Sequence, residues 1–253
     1  MGIEKNPADF LPSDVEAVVA SERNYAARYN RQSEPRAILL AGQPGAGKTV
    51  LSSMLNKLLC GNVYFINADE YRRFHPNYKE LYARYGSDSV QMTSGFSGAV
   101  TERLIHETSE RGIHLIIEGT GRTTDVPHRT AELLVKKGYR VELAVIATRP
   151  EHSLCSTLLR FYEMNERGTI PRATAMEAHD YVVRVLPDNL DVLRDDPVIS
   201  GITIWDRTPT KIYDSCGTAE CPSEVLRQYW NRPWPDEELQ DMQRSILRLR
   251  LVS

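Results

Sequence analysis

Residues 37–49 read AILLAGQPGAGKT, a short apolar run followed directly by a glycine-rich stretch. The run Ala37–Ala41 contains no polar residue, which is typical of a strand buried on both faces of a parallel sheet. Gly42–Thr49 fits the pattern G-x-x-x-x-G-K-[ST] at every fixed position. Apolar residues at helical spacing follow over Val50–Leu59. A strand, a glycine-rich loop and a helix in this order predict a P-loop that binds a nucleoside triphosphate.

Each residue type in this loop has a function in phosphate binding. Glycines let the backbone curl, so that successive N–H groups point at phosphate oxygens. The start of the following helix adds partial positive charge. Lys48 would contact the β- and γ-phosphates, and the Thr49 hydroxyl would bind Mg²⁺. The predicted nucleotide-binding residues are therefore Gly42, Gln43, Pro44, Gly45, Ala46, Gly47, Lys48 and Thr49.

The rest of the chain alternates apolar runs with helical stretches. Further strands are predicted at Val63–Ile66, His114–Ile117, Val141–Ala147 and Ile202–Trp205. Helices are predicted at Val15–Tyr29, Val50–Leu59, Asp88–Arg111, Val126–Lys137, Glu151–Glu166, Thr174–Leu193 and Asp236–Leu251. This alternation predicts a three-layer α/β, P-loop kinase-like domain with a mainly parallel sheet. We expect one domain over residues 1–253, with an N-terminal helical segment (1–35), a kinase core (36–215) and a C-terminal helical segment (216–253).

Composition excludes several classes of protein. The net charge is −3, from 31 basic and 34 acidic residues, so a nucleic-acid-coating surface is not expected. We expect no membrane span, because no apolar run approaches the roughly 18 residues that one requires. The four cysteines form no C-x-x-C pair and no export signal precedes them, so we expect reduced thiols and a cytoplasmic protein.

Two acids follow predicted strands, where ligands bind in open α/β sheets. Asp69 follows the run from Val63, and Glu118 follows His114–Ile117. A kinase needs a carboxylate near the acceptor hydroxyl, and an NTPase needs carboxylates for Mg²⁺ and water. From their positions alone, either acid could serve in either scheme.

Arginines cluster near the predicted helix Glu151–Glu166. A helical step of 100° places Ser156, Arg160, Glu163 and Arg167 on one face and Leu154, Leu158 and Phe161 on the other. Arg172 follows after a glycine-containing turn. Arginines on a mobile segment can stabilise a transferring phosphoryl group. A solvated helix face with an i,i+3 Arg–Glu pair explains the spacing equally well.

An ordered set of short motifs resembles the zeta toxins, the kinase component of epsilon–zeta toxin–antitoxin systems. The motifs are Ala37–Thr49, Asn67–Arg72, His75–Tyr78, Gly86–Val90, Leu115–Thr120, Arg122-Thr123, Asp125–Pro127, Leu143–Thr148, Ser156–Arg160 and Pro171–Thr174. They cover roughly residues 36–215. One departure is Asn67-Ala68-Asp69, where family members often have Asp-Gly-Asp.

The resemblance implies a kinase that phosphorylates the 3′-hydroxyl of the amino sugar in UDP-N-acetylglucosamine, a peptidoglycan precursor, with ATP or GTP. By the same resemblance Asp69 is the general base, and Lys48, Arg160 and Arg172 act on the phosphates. Glu118 is the second acid near the phosphates and is assigned with Thr49 to Mg²⁺. The residues assigned to the sugar nucleotide are Glu102, Thr120, Thr130 and Arg72. A small helical epsilon-type antitoxin is the expected partner, in a heterotetramer of two toxins and two antitoxins.

Two other readings of the chain stay open. The first is a P-loop phosphotransferase that acts on an antibiotic or a nucleoside. The second is an NTPase switch, although the base-reading motif N-K-x-D of guanine-specific switches is missing, since Asn56-Lys57 is followed by two leucines.

Overall fold

The computed structural model describes residues 6–170 and 174–252. The strands in this part of the chain are β1 Arg36–Ala41, β2 Val63–Asn67, β3 His114–Glu118, β4 Arg140–Ile146, β5 Ile202–Trp205 and β6 Lys211–Asp214. The α-helices are α1 Pro12–Ala26, α2 Lys48–Leu58, α3 Ala68–Tyr71, α4 Tyr78–Tyr85, α5 Ser89–Met92, α6 Ser94–Glu110, α7 Asp125–Lys136, α8 Pro150–Glu166, α9 Met176–Arg194, α10 Pro222–Asn231 and α11 Asp236–Val252. Short 3₁₀ turns lie at Arg72–Phe74 and Gly86–Asp88.

The six strands form one sheet in the order β2-β3-β1-β4-β5-β6. All neighbouring pairs are parallel except β5 and β6, which are antiparallel. From β1 the chain crosses to β2 on one side, whereas from β3 it crosses to β4 on the other side. This reversal of strand order lies beside β1, and ligands bind in such crevices at the carboxyl ends of parallel strands. The loop that follows β1 is Gly42–Gly47, so the predicted phosphate site occupies this crevice.

Helices cover both faces of the sheet, as three layers require. On one face, Leu51 and Leu55 of α2 pack against Ile38, Leu40 and Ile116. The opposite face is covered by α1, α6, α7, α9 and α10, whose buried side chains share one apolar cluster with the sheet. Continuous apolar strands such as Ala37–Ala41 bury both sides at once, which is why they do not alternate with polar residues. The predicted fold class is confirmed.

The structure corrects several predicted boundaries. The strand β6 was missed, because four residues at a sheet edge, of which only Tyr213 is buried, give a weak apolar signal. The predicted helix Asp88–Arg111 is two helices, α5 and α6, which Thr93 separates. Helix α4 was also missed, since Tyr78–Tyr85 buries only Leu81 completely. The predicted division into three segments remains a prediction.

The C-terminal helices are joined to the core through Arg149, which is 5% exposed. Its guanidinium donates to the carbonyl oxygens of Trp230, Arg232 and Pro233 and lies 4.5 Å from the ring centre of Trp234. An arginine with several partners in fixed geometry can be buried without an unsatisfied donor. Helix α11 consequently lies against α8, where Arg248 pairs with Glu163 at 2.7 Å.

No helix in the described ranges is long and apolar enough to cross a bilayer. Cys60, Cys155, Cys216 and Cys221 are all free thiols.

Removal of one carboxylate charge should weaken the attachment of α1 to α6. Arg23 donates to both oxygens of Glu107, at 2.8 and 3.0 Å, and this contact lowers the pKa of Glu107 to about 2. The folded state favours the charged form of Glu107. The ion pair therefore stabilises the fold fully above pH 4.5, the usual pKa of glutamate, and this stabilisation is lost as the pH falls towards 2. Glu107→Gln should therefore lower the melting temperature at pH 7, and the difference from wild type should shrink at pH 3.

The matched control is Glu132→Gln, which removes an exposed carboxylate paired with Lys136 inside one helix. Such pairs contribute only tenths of a kcal/mol. Equal melting temperatures for the two variants at pH 7 would contradict the proposed attachment.

Candidate active site

The P-loop forms a turn that only glycine accommodates easily. Gly45 and Gly47 have φ values of +76° and +95°, in the left-handed region. Gly47 is the N-cap of α2, so the helix begins at Lys48 with its free N–H groups directed into the loop. The Lys48 ammonium lies 2.9 Å from the Gly42 carbonyl oxygen and 3.4 Å from that of Gln43. Backbone donors, the helix start and one ammonium thus surround a site suited to phosphate.

The loop also lies unusually close to helix α8. A Cβ atom on Gly45 would be 2.0 Å from the carbonyl oxygen of Ser153 and 2.8 Å from Cγ2 of Thr157. The first contact is with backbone, which cannot rotate away. The strand-end residue Thr148 also donates its hydroxyl hydrogen to the Ala46 carbonyl oxygen. The P-loop therefore packs directly against the start of α8 and the residues just before it.

Gly45→Ala should destabilise the protein and impair nucleotide binding. A left-handed backbone costs a non-glycine residue about 1–2 kcal/mol, and overpacking adds about 1–3 kcal/mol. We expect the free energy of unfolding, measured by urea denaturation, to fall by roughly 2–5 kcal/mol.

Gly138→Ala is the matched control, because Gly138 has a φ of +83° but no atom within 4 Å of the added Cβ. Gly138→Ala should therefore lose only the stability that a left-handed backbone costs a non-glycine residue, with no added steric overlap. If the two variants lost equal stability, the contact between Gly45 and α8 would have no energetic importance.

Two predicted acids lie beside Lys48, at the carboxyl ends of the adjacent strands β2 and β3: Asp69 in α3, directly after β2, and Glu118 as the last residue of β3. Glu118 ends β3, and its Oε1 lies 3.8 Å from Lys48 Nζ. Its Oε2 accepts a hydrogen bond of 3.1 Å from Nδ2 of Asn67, the last residue of β2. The Oδ1 atom of Asn67 accepts from the backbone N–H of Asp69 at 3.0 Å. One amide side chain therefore joins the two acids, and parallel pairing of Asn67 with Glu118 keeps them in register.

The charges around Lys48 change its pKa in opposite directions. Burial lowers the pKa of Lys48 below its usual value, because a buried ammonium loses hydration. The negative charges of Glu118 and Asp69 oppose this shift, and the positive charge of Arg160 adds to it. All three side chains are therefore near enough to Lys48 to influence its charge. The structure thus places Asp69, Glu118 and Arg160 within electrostatic reach of Lys48, and the catalytic roles assigned to these residues remain predictions.

Arg72 lies directly beside Asp69. Its Nε donates to Asp69 Oδ1 at 2.9 Å, and Nη1 donates to the carbonyl oxygen of Val90 and, at 3.4 Å, to the hydroxyl of Thr93. The Arg72 side chain is mostly buried, whereas that of Asp69 is 56% exposed. Arg72 thus orients an accessible carboxylate. Its assignment to substrate binding remains a prediction.

The predicted faces of α8 are corrected by the structure. Leu158 is 38% exposed, whereas the buried residues of this helix are His152, Ser153, Cys155 and Thr157. Small side chains face inward because the P-loop approaches at Gly45. Arg160 is exposed, and Glu163 pairs with Arg248 of α11. Arg172 lies outside the described residues.

The other residues assigned to the sugar nucleotide lie on three separate elements. Thr120 follows β3, and its carbonyl oxygen accepts a long hydrogen bond of 3.4 Å from the N–H of Gly42. Thr130 is half-buried in α7. Glu102 is exposed on α6, in an open groove that Phe10 and Val15 line from the other side. Their role in substrate binding remains a prediction.

The residues assigned to Mg²⁺ are chemically suited to it. Thr49 is exposed in the first turn of α2, and Glu118 is half-buried at the end of β3. A hydroxyl and a carboxylate are oxygen ligands, which Mg²⁺ prefers, and the ion commonly takes its other ligands from phosphates and water. When bound, the ion would neutralise charge that develops on the phosphates.

Sequence reasoning missed Asn67 and Ser153 as parts of the site. Asn67 appears in the sequence only as a departure from the family pattern, although a polar residue directly after a predicted strand is a recognisable signal. Ser153 carries no signal in the sequence, since a serine in the first helical turn is usually exposed.

Comparisons with known proteins agree with this geometry. The zeta toxin family matches residues 20–218. The chain is 39% identical over 243 residues to Toxin PezT of Streptococcus pneumoniae serotype 4, covering 95% of this chain and 96% of that protein. It is 40% identical over 208 residues to Toxin zeta of Streptococcus pyogenes, covering 81% and 72% respectively.

One solved structure, from a study of the PezAT chromosomal toxin–antitoxin system of Streptococcus pneumoniae, superposes with a TM-score of 0.88. It is 36% identical and covers 98% of this chain and 99% of that one. The P-loop, the two strand-end acids and the shared fold lead to one conclusion: the chain belongs to the zeta toxin family of P-loop, kinase-like toxins.

Proposed function

We propose that this protein transfers the γ-phosphoryl group of ATP or GTP to the 3′-hydroxyl of the amino sugar of UDP-N-acetylglucosamine, with Mg²⁺. The observation that supports a transferase best is the position of Asp69. It is an accessible carboxylate within electrostatic reach of the P-loop lysine, and it lies in α3, directly after β2, whereas Glu118 ends β3. One acid can therefore serve the metal while the other accepts the proton of an acceptor hydroxyl.

The acceptor is assigned from the family resemblance. Glu102, Thr120, Thr130 and Arg72 are the residues proposed to bind the sugar nucleotide. Phosphorylation of this precursor would withdraw it from cell-wall synthesis, which accounts for toxicity. ATP and nucleotide sugars are cytoplasmic metabolites, so we propose the cytoplasm as the site of action.

The test is a direct assay for the phosphorylated product. The protein is incubated with Mg²⁺, either ATP or GTP, and UDP-N-acetylglucosamine, UDP-N-acetylgalactosamine or UDP-glucose in parallel. We expect mass spectrometry to show one added phosphoryl group on the N-acetyl amino sugars. A 3′-deoxy analogue should stay unmodified while it still competes for binding. Transfer to the analogue, or release of inorganic phosphate only, would contradict the proposed acceptor.

We also propose that a small helical antitoxin inhibits the protein by covering the nucleotide site, in a complex of two toxins and two antitoxins. The support is the similarity to PezT and to the structure from the PezAT system. Co-expression with a cognate small helical antitoxin should abolish growth arrest, and the purified complex should not bind ATP. Undiminished ATP affinity in the complex would exclude this mode of inhibition.

Arg160 should contribute to the rate more than to nucleotide affinity. Its positive charge acts on Lys48, so it lies near the predicted phosphate position. Loss of one donor to a developing charge typically lowers kcat on the order of 10²-fold. Arg160→Ala should show that loss with nearly unchanged nucleotide Kd, and Arg172→Ala should behave alike.

The control is Arg140→Ala, which removes an exposed arginine at the amino end of β4, opposite the P-loop. A loss of thermal stability with unchanged kcat in Arg160→Ala would favour the solvated-face interpretation.

A further inference from the structure

A buried chain of polar side chains runs behind the P-loop. Gln43, which is fully buried, places its Nε2 at 2.5 Å from the carbonyl oxygen of Thr148 and 3.3 Å from Oγ of Ser153. Ser153 Oγ lies 2.8 Å from Nε2 of His179, and His179 Nδ1 lies 3.0 Å from Oδ1 of Asp180. Ser153 and His179 are 0% and 1% exposed. Buried polar groups are retained at a cost, so this chain needs an explanation.

The protons can be placed from the carboxylate inward. Asp180 is 63% exposed on its side chain and acts as an acceptor when ionised. His179 then donates from Nδ1 to Asp180, which leaves Nε2 as an acceptor for the Ser153 hydroxyl at 2.8 Å; the other acceptor within reach of this hydroxyl is the Pro150 carbonyl oxygen at 2.9 Å. Ser153 Oγ in turn accepts from the Gln43 amide. Every hydrogen bond in this series therefore points the same way, from Gln43 towards Asp180. Hydrogen bonds arranged in this way strengthen one another in a low dielectric.

The same order of groups occurs in serine hydrolases, but here it cannot act on a substrate. A nucleophilic serine must be exposed to the bond that it attacks. Ser153 is completely buried, and the Gln43 amide approaches its Oγ from the P-loop side. These hydrogen-bonded side chains therefore have a structural function: they fix the positions of the segments that they connect.

The elements that the chain connects are those that carry the phosphate-binding residues. Ser153 lies in the first turn of α8, the helix that carries Arg160. His179 lies in the first turn of α9, just after the connection that contains Arg172. Gln43 belongs to the P-loop itself, and its carbonyl oxygen is one of the acceptors near Lys48. Three segments far apart in the sequence thus meet at one hydroxyl group.

We propose that Ser153 and His179 are positioning residues that keep the P-loop in register with the starts of α8 and α9, and hence Lys48 in register with Arg160. The proposal rests on the proposed phosphotransfer for its effect on rate. Small displacements of catalytic groups, of about 1 Å, can cost up to about 10²-fold in rate. The two residues should therefore affect kcat more than nucleotide binding.

The test compares Ser153→Ala and His179→Leu with a matched control, Ser109→Ala. Ser109 is also a buried helical serine whose Oγ lies within hydrogen-bond distance of a carbonyl oxygen three residues earlier, as Ser153 Oγ does, but it lies in the last turn of α6, which leads into the amino end of β3. We expect each of the first two variants to lower kcat by about 5- to 50-fold with less than about a 3-fold change in nucleotide Kd. The double variant should be no slower than the slower single variant, because both break one chain. His179→Gln, which retains a polar group near the Nε2 position, should recover part of the rate.

Hydrogen exchange gives a readout that does not depend on the acceptor. In Ser153→Ala, amide exchange should accelerate together in the P-loop and in the first turn of α9, and in Ser109→Ala in neither. Unchanged exchange in the P-loop, or a kcat no lower than that of Ser109→Ala, would overturn the proposal. If wild type fails to phosphorylate any UDP-sugar, the proposed acceptor fails, and hydrogen exchange still decides the role of Ser153.

Discussion

Lys48→Ala should abolish phosphoryl transfer, with a fall of at least about 10³-fold in kcat, while the protein stays folded. The side chain is 10% exposed and lies at the mouth of the P-loop, against the carbonyl oxygens of Gly42 and Gln43. It is the cation through which a P-loop contacts the β- and γ-phosphates, where charge develops during transfer. Burial lowers the pKa of Lys48, and the negative charge of a bound phosphate should raise it again.

The measurements are kcat in the product assay, nucleotide Kd by calorimetry and the circular dichroism spectrum. Lys57→Ala is the matched control, because Lys57 lies in the last turn of the same helix and is exposed. Its kcat should equal that of wild type. Wild-type turnover in a folded Lys48→Ala protein would remove the P-loop from the mechanism.

Asp69→Asn should lower kcat by about 10²- to 10⁴-fold and leave nucleotide affinity almost unchanged. Asparagine has nearly the same shape and can still accept the hydrogen bond from Arg72 Nε, so the local structure should persist. The substitution removes the group that would take the proton of the acceptor hydroxyl. Glu70→Gln is the matched control, because Glu70 is the adjacent carboxylate in the same turn and pairs with Arg73 at 3.9 Å.

A Mg²⁺ titration of Asp69→Asn separates the two roles that its position allows. If Asp69 is the base, the rate stays low at every Mg²⁺ concentration. If Asp69 binds the metal, nucleotide affinity falls with the substitution, and added Mg²⁺ recovers much of the rate. Recovery would assign the metal to Asp69 and leave Glu118, which Asn67 holds 3.8 Å from Lys48, as the candidate base.

The sequence by itself determined the P-loop and the fold class. A P-loop is specified by eight consecutive residues, and its required context is the strand before it and the helix after it. These signals are local, so they can be recognised without a structure. Asp69 and Glu118 were found for a related reason, since the carboxyl ends of parallel strands meet at one edge of a sheet.

Boundaries and helix faces were less predictable from the same residues. The apolar side of α8 was expected to carry Leu158, but the structure exposes this residue and buries Ser153 and Thr157. The reason is steric, because the space between α8 and Gly45 admits only small side chains. Hydrophobic periodicity cannot identify the buried face of a helix when the space available to the side chains, and not their hydrophobicity, determines that face.

Tertiary structure alone decided how the site is held together. Asn67 joins the two acids across neighbouring strands, and Gln43 reaches Ser153 across 110 positions of sequence. Hydrogen bonds of this kind depend on the distance between atoms to within a few tenths of an ångström. Residue type shows that serine or asparagine can form such a bond, but the packing of α8 and the pairing of β2 with β3 determine which partner is within reach.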